Sequence, residues 1–325
     1  MRPTRLAWPV LAVALALAGC STSGGGPAPP AASACGWTPL ARATLARTEV
    51  AAVRVGRHVY VMGGFERERN ATTAMTERYD IERDRWRRVA EMPVALNHAA
   101  AAAYAGDVYV LGGYRGRRSL NDETAALYRY DLERNRWSEL PSAPTARGAL
   151  AVGVIGGRLY AAGGASDAAG ALATLEIYDF ARRRWSAGPP MALAREHLAG
   201  AVAGGRFYAI AGRAAGQGNF SVVEAFDPRE GRWRRVPDLR KPRGGIAAAT
   251  VGGRIVVVGG EEDAGTIREV ELYDPRTRRW RALTDMRTPR HGLGAVARGR
   301  RVYALEGGDR PGFAFTRTLE ALTVR

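Results

Sequence analysis

The sequence predicts an all-β chain of six four-stranded units set in a ring, and three regularities of spacing predict it. Past the N-terminal segment, tryptophan recurs at Trp37, Trp86, Trp137, Trp185, Trp233 and Trp280, at intervals of 49, 51, 48, 48 and 47 residues. Seven residues before each of the last five stands an aromatic-Asp pair: Tyr79-Asp80, Tyr130-Asp131, Tyr178-Asp179, Phe226-Asp227 and Tyr273-Asp274. Twenty-three residues after each Trp comes the centre of an apolar run that leads into glycine, at Tyr60, Tyr109, Tyr160, Tyr208, Val256 and Tyr303. A period near 48 residues outranks the prior that a chain of 325 residues folds as one or two ordinary domains.

Each period holds four strands. Strand a is rich in Ala and Gly, as in Leu150 to Ile155, and small side chains suit the crowded axis of a radial array. Strand b is the apolar run, such as Leu159-Tyr160-Ala161-Ala162 before Gly163-Gly164, where glycine permits close backbone approach or a positive φ. Strand c carries the aromatic-Asp pair, as in Leu175 to Asp179, and strand d carries the Trp. The Trp is expected to pack between neighbouring units rather than to stack on a ligand.

This pattern of Gly-Gly, Tyr-Asp and Trp resembles the kelch repeat, over residues 35–325. The resemblance implies a six-bladed kelch-type β-propeller. Two departures are tolerable: Ala211-Gly212 replaces the glycine doublet of the fourth unit, and Val256 stands where the other units have Tyr. The last unit ends within strand c, at Leu319 to Arg325, with no Trp after it, while Trp37 has no strands a to c before it. The strand around Trp37 is therefore expected to complete the final blade, closing the ring without an exposed sheet edge at the seam.

Composition narrows the partners. The chain is 46% hydrophobic, enough for a sizeable core, and its formal charge of +16 is almost all arginine, Lys241 being the single lysine. Much of the arginine falls in the turns before each Trp, such as Arg83 and Arg85 or Arg182 to Arg184. That placement reads as a solvated rim; no basic motif interleaved with aromatics points to nucleic acid.

Residues 1–20 have Arg2 and Arg5, an apolar run from Leu6 to Leu17, then Leu17-Ala18-Gly19-Cys20. The run is short for a membrane span and has the layout of a secretory signal. Its ending resembles the lipobox of bacterial lipoproteins, which implies lipidation at Cys20 and a tether to a membrane surface. Ser21 leans toward outer-membrane sorting, so the expected location is the cell envelope, on the periplasmic side. Residues 21–34 read as a flexible Ser/Gly/Pro/Ala tether. Cys35 is the remaining cysteine, so no disulfide is expected within the folded part, 35–325.

The length from strand-b glycine to aromatic-Asp pair varies while the rest of the unit does not. The b-to-c loops share a face with the d-to-a connections, and that face is the candidate binding surface. Ten residues after each Trp stand Arg47, Leu96, Arg147, Arg195, Arg243 and Arg290; two further on stand Glu49, His98, Ala149, His197, Gly245 and Gly292. If both sets face the channel mouth, five arginines form an electropositive funnel for carboxylates or phosphates, with His98 beside them. The alternative is that these arginines hydrogen-bond neighbouring loop carbonyls. Glu196 and His197 are candidates for a general acid or base, against a structural role for the histidines. His58 falls on the opposite face, leaving His98, His197 and His291 too dispersed to read as a metal-ligand set, and no cofactor is expected.

Two functions compete at this stage. The first is a monomeric, envelope-anchored recognition module for an anionic small molecule, a glycan or a protein partner. The second follows from similarity in layout to the secreted sialic acid mutarotases (N-acetylneuraminate epimerases), which would assign Arg147, Arg195 and Arg243 to a sugar carboxylate and Glu196 or His197 to proton transfer. A copper galactose oxidase is set aside, since its Tyr-Cys cofactor has no cysteine to draw on.

Overall fold

The computed structural model describes residues 36–325, which form strands and turns with no helix among them. The signal segment 1–20, the tether 21–34, and both Cys20 and Cys35 lie outside the described residues.

Six antiparallel sheets follow one another along the chain, each built on four strands, the fifth with a short additional strand at Gly265–Thr266. Blade 1 has strand a at Ala51–Val55, b at His58–Met62, c at Thr76–Asp80 and d at Arg85–Val89. The same order occupies Ala100–Tyr104 to Arg136–Leu140 in blade 2, Ala151–Ile155 to Arg184–Gly188 in blade 3 and Ala199–Ala203 to Arg232–Val236 in blade 4. Blade 5 runs from Gly244–Val251 to Arg279–Ala282. Blade 6 takes strands a to c from Gly294–Arg298, Arg301–Leu305 and Leu319–Thr323, and strand d from Trp37–Pro39. There Trp37 pairs with Leu322, Thr38 with Ala321 and Pro39 with Glu320. The chain's first described strand thus completes its last blade, and the fold is a six-bladed β-propeller closed at that seam.

The patterning of each strand follows from its place in the blade. Strand b lies inside its sheet and between two blades, so both faces are buried and alternation disappears: Val59, Tyr60, Val61 and Met62 are all inaccessible. Strand d is the outer edge; in Arg85–Val89 only Trp86 and Val89 are even partly covered. Apolar clusters fill the space between neighbouring blades. Tyr60 and Met62 of blade 1 meet Val108, Val110 and Tyr128 of blade 2, and across the seam Trp37, Val302 and Leu322 meet Val256 and Leu272.

The repeat residues do the work of joining blades. Each of the six Trp among the described residues donates its indole N–H to a backbone carbonyl four residues past the preceding Trp of the ring: Trp86 to Ala41 (2.7 Å), Trp137 to Ala90 (2.9 Å), Trp185 to Pro141 (2.7 Å) and, across the seam, Trp37 to Thr284 (3.0 Å). Each such bond contributes about 1 kcal/mol net. An aromatic ring stands opposite five of these Trp residues: Tyr130 stacks on Trp137 with ring centres 4.9 Å apart, the other four are tilted at 5.0–5.3 Å, and Trp37 faces Leu322. The Asp that follows accepts backbone N–H bonds of the c-to-d turn, Asp80 Oδ1 from Glu82 (3.1 Å) and Arg83 (3.3 Å). Glycine is needed at the second position after strand b, where φ is 90–115° in all six blades: a Cβ on Gly64, at φ 90°, would sit 2.5 Å from the Thr48 carbonyl oxygen, whereas the position before it, left-handed at φ 51–69°, also holds Ala211 and Glu306.

Short hairpins extend the b-to-c loops of four blades, such as Phe65–Glu66 with Ala71–Thr72 and Arg213–Ala214 with Gly218–Asn219. They pair with the segments leading into strand a: Arg47 with Glu66, Thr48 with Phe65 and, as a single bridge, Glu196 with Arg213. Both kinds of loop therefore share one face, as the length variation implied.

Candidate functional site

The five arginines do not form a funnel. Arg47, Arg147, Arg195, Arg243 and Arg290 are among the most buried side chains in the molecule, each at most 1% exposed. Each guanidinium reaches into its own blade and meets a glutamate three residues before the aspartate position of strand c: Arg47 to Glu77 (2.9 Å), Arg147 to Glu176 (2.6 Å), Arg195 to Glu224 (2.5 Å), Arg243 to Glu271 (2.7 Å) and Arg290 to Glu320 (3.4 Å). Remaining donors go to carbonyls around the strand-b turn, as Arg243 Nη1 does to Gly259 (3.2 Å) and Glu269 (2.7 Å). Only the Nε atoms of Arg147 and Arg195 lack a partner, and both are buried out of reach of an external anion.

The physical reason is a break in the pleat. The residue two further on is left-handed in all six blades, with φ of 57° at Glu49, 52° at His98, 54° at Ala149, 52° at His197, 66° at Gly245 and 56° at Gly292. Two-residue alternation holds only for extended backbone. Across this kink one position faces the axis while the other turns into the blade. Blade 2 supports the structural role: where the arginine is replaced by Leu96, the glutamate is replaced by Tyr128, so the pair is present or absent as a unit.

The left-handed residues form the true axial ring. Their amides and carbonyls close a circular belt of hydrogen bonds: His98 N to Glu49 O (3.1 Å), Ala149 to His98 (2.8 Å), His197 to Ala149 (2.9 Å), Gly245 to His197 (3.0 Å), Gly292 to Gly245 (2.9 Å) and Glu49 to Gly292 (2.7 Å). One potential ligand atom from each of Glu49, His98 and His197 lies within 4.8 Å of the others. The dispersal expected of the histidines is thereby corrected: same-position residues of different blades are far apart in sequence and adjacent at the axis. His98 and His197 meet edge to face with ring centres 4.7 Å apart. His98 Nε2 lies 3.1 Å from Glu49 Oε2, and His291 Nδ1 3.1 Å from Glu49 Oε1. His58 stays apart, beside Asp80 at the a-to-b turn.

Side chains from the first position after the strand-b glycines surround this cluster. Glu196 contacts His197 Nδ1 and accepts from Arg213 Nε (3.0 Å), whose Nη1 continues to Glu261 (2.8 Å). Glu261 Oε2 lies 3.5 Å from His291 Nδ1. Phe65 and Tyr114 set their rings edge-on to His98, at 5.9 and 5.7 Å, and Phe313 lies on Phe65 with Arg118 over its ring. Glu49, His98 and His197 stand at one end of an axial channel of about 350 Å³, lined largely by alanines of the six a strands. Sequence reasoning missed Phe65, Tyr114, Arg213 and Glu261. Their shared place directly after strand b was a signal, since equivalent positions of a ring converge.

Burial and charge divide the protonation states. Burial pushes the His98 imidazole down to about 4, against the pull of Glu49. Burial also opposes ionisation of Glu49, but His98, His291 and His197 outweigh it and hold the carboxyl well below the usual carboxylate range. His291 is raised: burial lowers it, and Glu49 and Glu261 more than compensate. Burial likewise works against Glu196, which His197 and Arg213 nonetheless hold low. The cluster thus offers neutral imidazole next to ionised carboxylate, a combination able to accept or relay a proton or to bind a cation.

A closed ring of six four-stranded blades around an axial channel defines a β-propeller whose site lies at one channel end. The model of the KLHDC2/KLHL20/DRC7 kelch-repeats domain matches residues 37–192 and 143–308, so this chain belongs to the kelch-repeat family. No curated protein matches its sequence. Among solved structures, one titled "Structure of YjhT" superimposes with a TM-score of 0.75 at 14% identity, over 88% of this chain and 97% of that one. At that identity the likeness is one of fold.

Proposed function

We propose that this protein is a cell-envelope recognition module, carried on a lipid anchor at Cys20, that takes a small hydroxyl-rich ligand, a sugar or glycan end, at the loop-face end of its axial channel. The single observation that carries this is the convergence of Glu49, His98 and His197, from three blades, within 4.8 Å at the axis. All three hold a left-handed backbone that glycine occupies in two other blades, and strained, buried, charged positions gather at functional sites. Imidazoles and carboxylates supply donors and acceptors for hydroxyl groups, and Phe65, Tyr114 and Phe313 supply rings for apolar sugar faces. The preference for an anionic ligand narrows to Arg213, a guanidinium at this mouth with its side chain 30% exposed.

The test is a thermal-shift screen of the full chain with neutral and acidic sugars, repeated on His197→Ala. A ligand at a hundred times its Kd stabilises the folded state by about 2.7 kcal/mol, enough for a clear rise in Tm. A rise that disappears in His197→Ala supports the reading; no rise with any sugar, or one that the variant retains, overturns it.

A second reading, sugar mutarotation as in the sialic acid mutarotases, is favoured by the contact of the Glu196 carboxylate with His197 Nδ1, which couples a carboxylate to an imidazole as acid-base catalysis requires. Exchange of sugar anomers followed by NMR, lost in both Glu196→Gln and His197→Ala, is its expected signature.

A further inference from the structure

We propose that Glu49, His98 and His197 form a binding site for a divalent transition-metal ion of the zinc class. Glu and His are borderline-hard ligands suited to such ions, and a His₂Glu set leaves a tetrahedral ion one open position. Ligand atoms of a tetrahedral zinc site stand about 3.4 Å apart, given bonds of about 2.0–2.1 Å. Glu49 Oε2 and His98 Nε2 are already 3.1 Å apart, and the three residues' ligand atoms all fall within 4.8 Å, so small side-chain rotations suffice.

The independent observation is the orientation of the imidazoles. His98 Nδ1 lies 2.7 Å from Asn97 Oδ1, and that amide is fixed in turn because its Nδ2 donates to Thr72 Oγ1 (2.9 Å) and the Tyr114 carbonyl (3.2 Å). Oδ1 is thus the acceptor, Nδ1 carries the proton, and Nε2 presents a lone pair toward a carboxylate oxygen. Two acceptors face each other there, an arrangement that a shared cation resolves. His197 repeats the device: its Nδ1 is taken by Glu196, itself held by Arg213 at 3.0 Å. In both cases the preceding residue supplies the acceptor that frees Nε2. Histidines that ligate metal are set in this way, carboxylate-histidine-metal included.

A third buried imidazole is unspent. His291 is 2% exposed, and neither ring nitrogen makes an aligned hydrogen bond although Nδ1 is 3.1 Å from Glu49 Oε1. It stands on the far oxygen of the shared carboxylate, where it can steady Glu49.

This site uses the same side chains as the sugar-binding reading, and its test reads metal alone, so either can fail without the other. The full chain, stripped with a chelator, is titrated with Zn²⁺ by calorimetry. One equivalent is expected to bind, with affinity falling more than a hundredfold in His98→Ala and His197→Ala, about 10- to 100-fold in Glu196→Gln, and unchanged in His58→Ala. Melting of each variant without metal shows whether it folds. Anomalous scattering at the zinc edge from crystals of the unaltered protein with one equivalent of Zn²⁺ locates the ion without any variant. A peak among Glu49, His98 and His197 supports the proposal. No saturable equivalent, or a peak elsewhere such as at His58, overturns it.

Discussion

Two rings of residues, two positions apart in sequence, have opposite fates in this propeller. Ten residues after each Trp the side chain is Arg in five blades, buried and ion-paired within its own blade. Twelve residues after, the backbone is the same in all six blades while the side chains are Glu49, His98, Ala149, His197, Gly245 and Gly292. The first ring is nearly uniform because five blades use the same ion-paired support beneath the b-to-c loop, which blade 2 replaces with an apolar set. The second varies in side chain on a shared backbone, as recognition of an asymmetric ligand by the proposed site would require. In a ring fold, repetition marks structure, and departure from repetition at a shared geometry marks function.

The largest effect expected from breaking this comparison is at the uniform ring. Arg147→Leu leaves Glu176 buried without its partner, and denaturant unfolding should show a loss of about 3–5 kcal/mol. Blade 2 already carries the apolar alternative, Val94, Leu96 and Tyr128 at the places of Thr145, Arg147 and Glu176. The triple variant Thr145→Val, Arg147→Leu, Glu176→Tyr should therefore regain most of that stability, since a buried ion pair and a well-packed apolar set are often close in free energy. A triple variant as unstable as the single one would refute the equivalence.

The next effect separates axis from seam by pH. His98 is depressed to about 4 from an ordinary 6.5, so its neutral form is favoured by folding; its contribution is complete above pH 6.5 and is lost as pH falls toward 4. At the seam Arg47 also binds Glu306 of blade 6 through Nε and Nη2, both at 2.9 Å. Burial pushes the Glu306 carboxyl up to about 7 from 4.5; Arg47 opposes this and Glu77 adds to it. Its contribution is complete below pH 4.5 and is lost as pH rises through 7. Denaturation midpoints between pH 4 and 8 should accordingly lose a rising component in His98→Gln and a falling one in Glu306→Gln. Parallel profiles for the two variants would contradict the opposite signs.

The smallest effect tests the ring's backbone. Ala149 is held at φ 54°, so Ala149→Gly should raise stability by about 0.5–1 kcal/mol in the same unfolding assay, relief of the left-handed strain exceeding the added freedom of the unfolded chain. A loss would mean that the Ala149 methyl matters more than the conformation.

Much of the molecule was legible in advance for physical reasons that differ by residue. The Trp, Tyr and Asp spacings are strictly local consequences of one blade's strand lengths and turn, so counting recovers them. The closure by Trp37 follows from a strand missing at one terminus and present at the other. The Arg–Glu pairs were also readable, because Leu96 and Tyr128 depart together. They do not form the funnel that extended strands would give, because the chain turns left-handed at Glu49 and its counterparts.

By itself the sequence determined the repeat, the six blades, the closing strand and the face on which the loops vary, since each depends on spacing and hydrophobic period within about 50 residues. Only the tertiary structure decided which side chains meet. Glu49, His98 and His197 are separated by 49 and 99 residues and belong to three blades. Ring closure brings them to one axis, and the left-handed kink decides that they face it while the neighbouring arginines turn away.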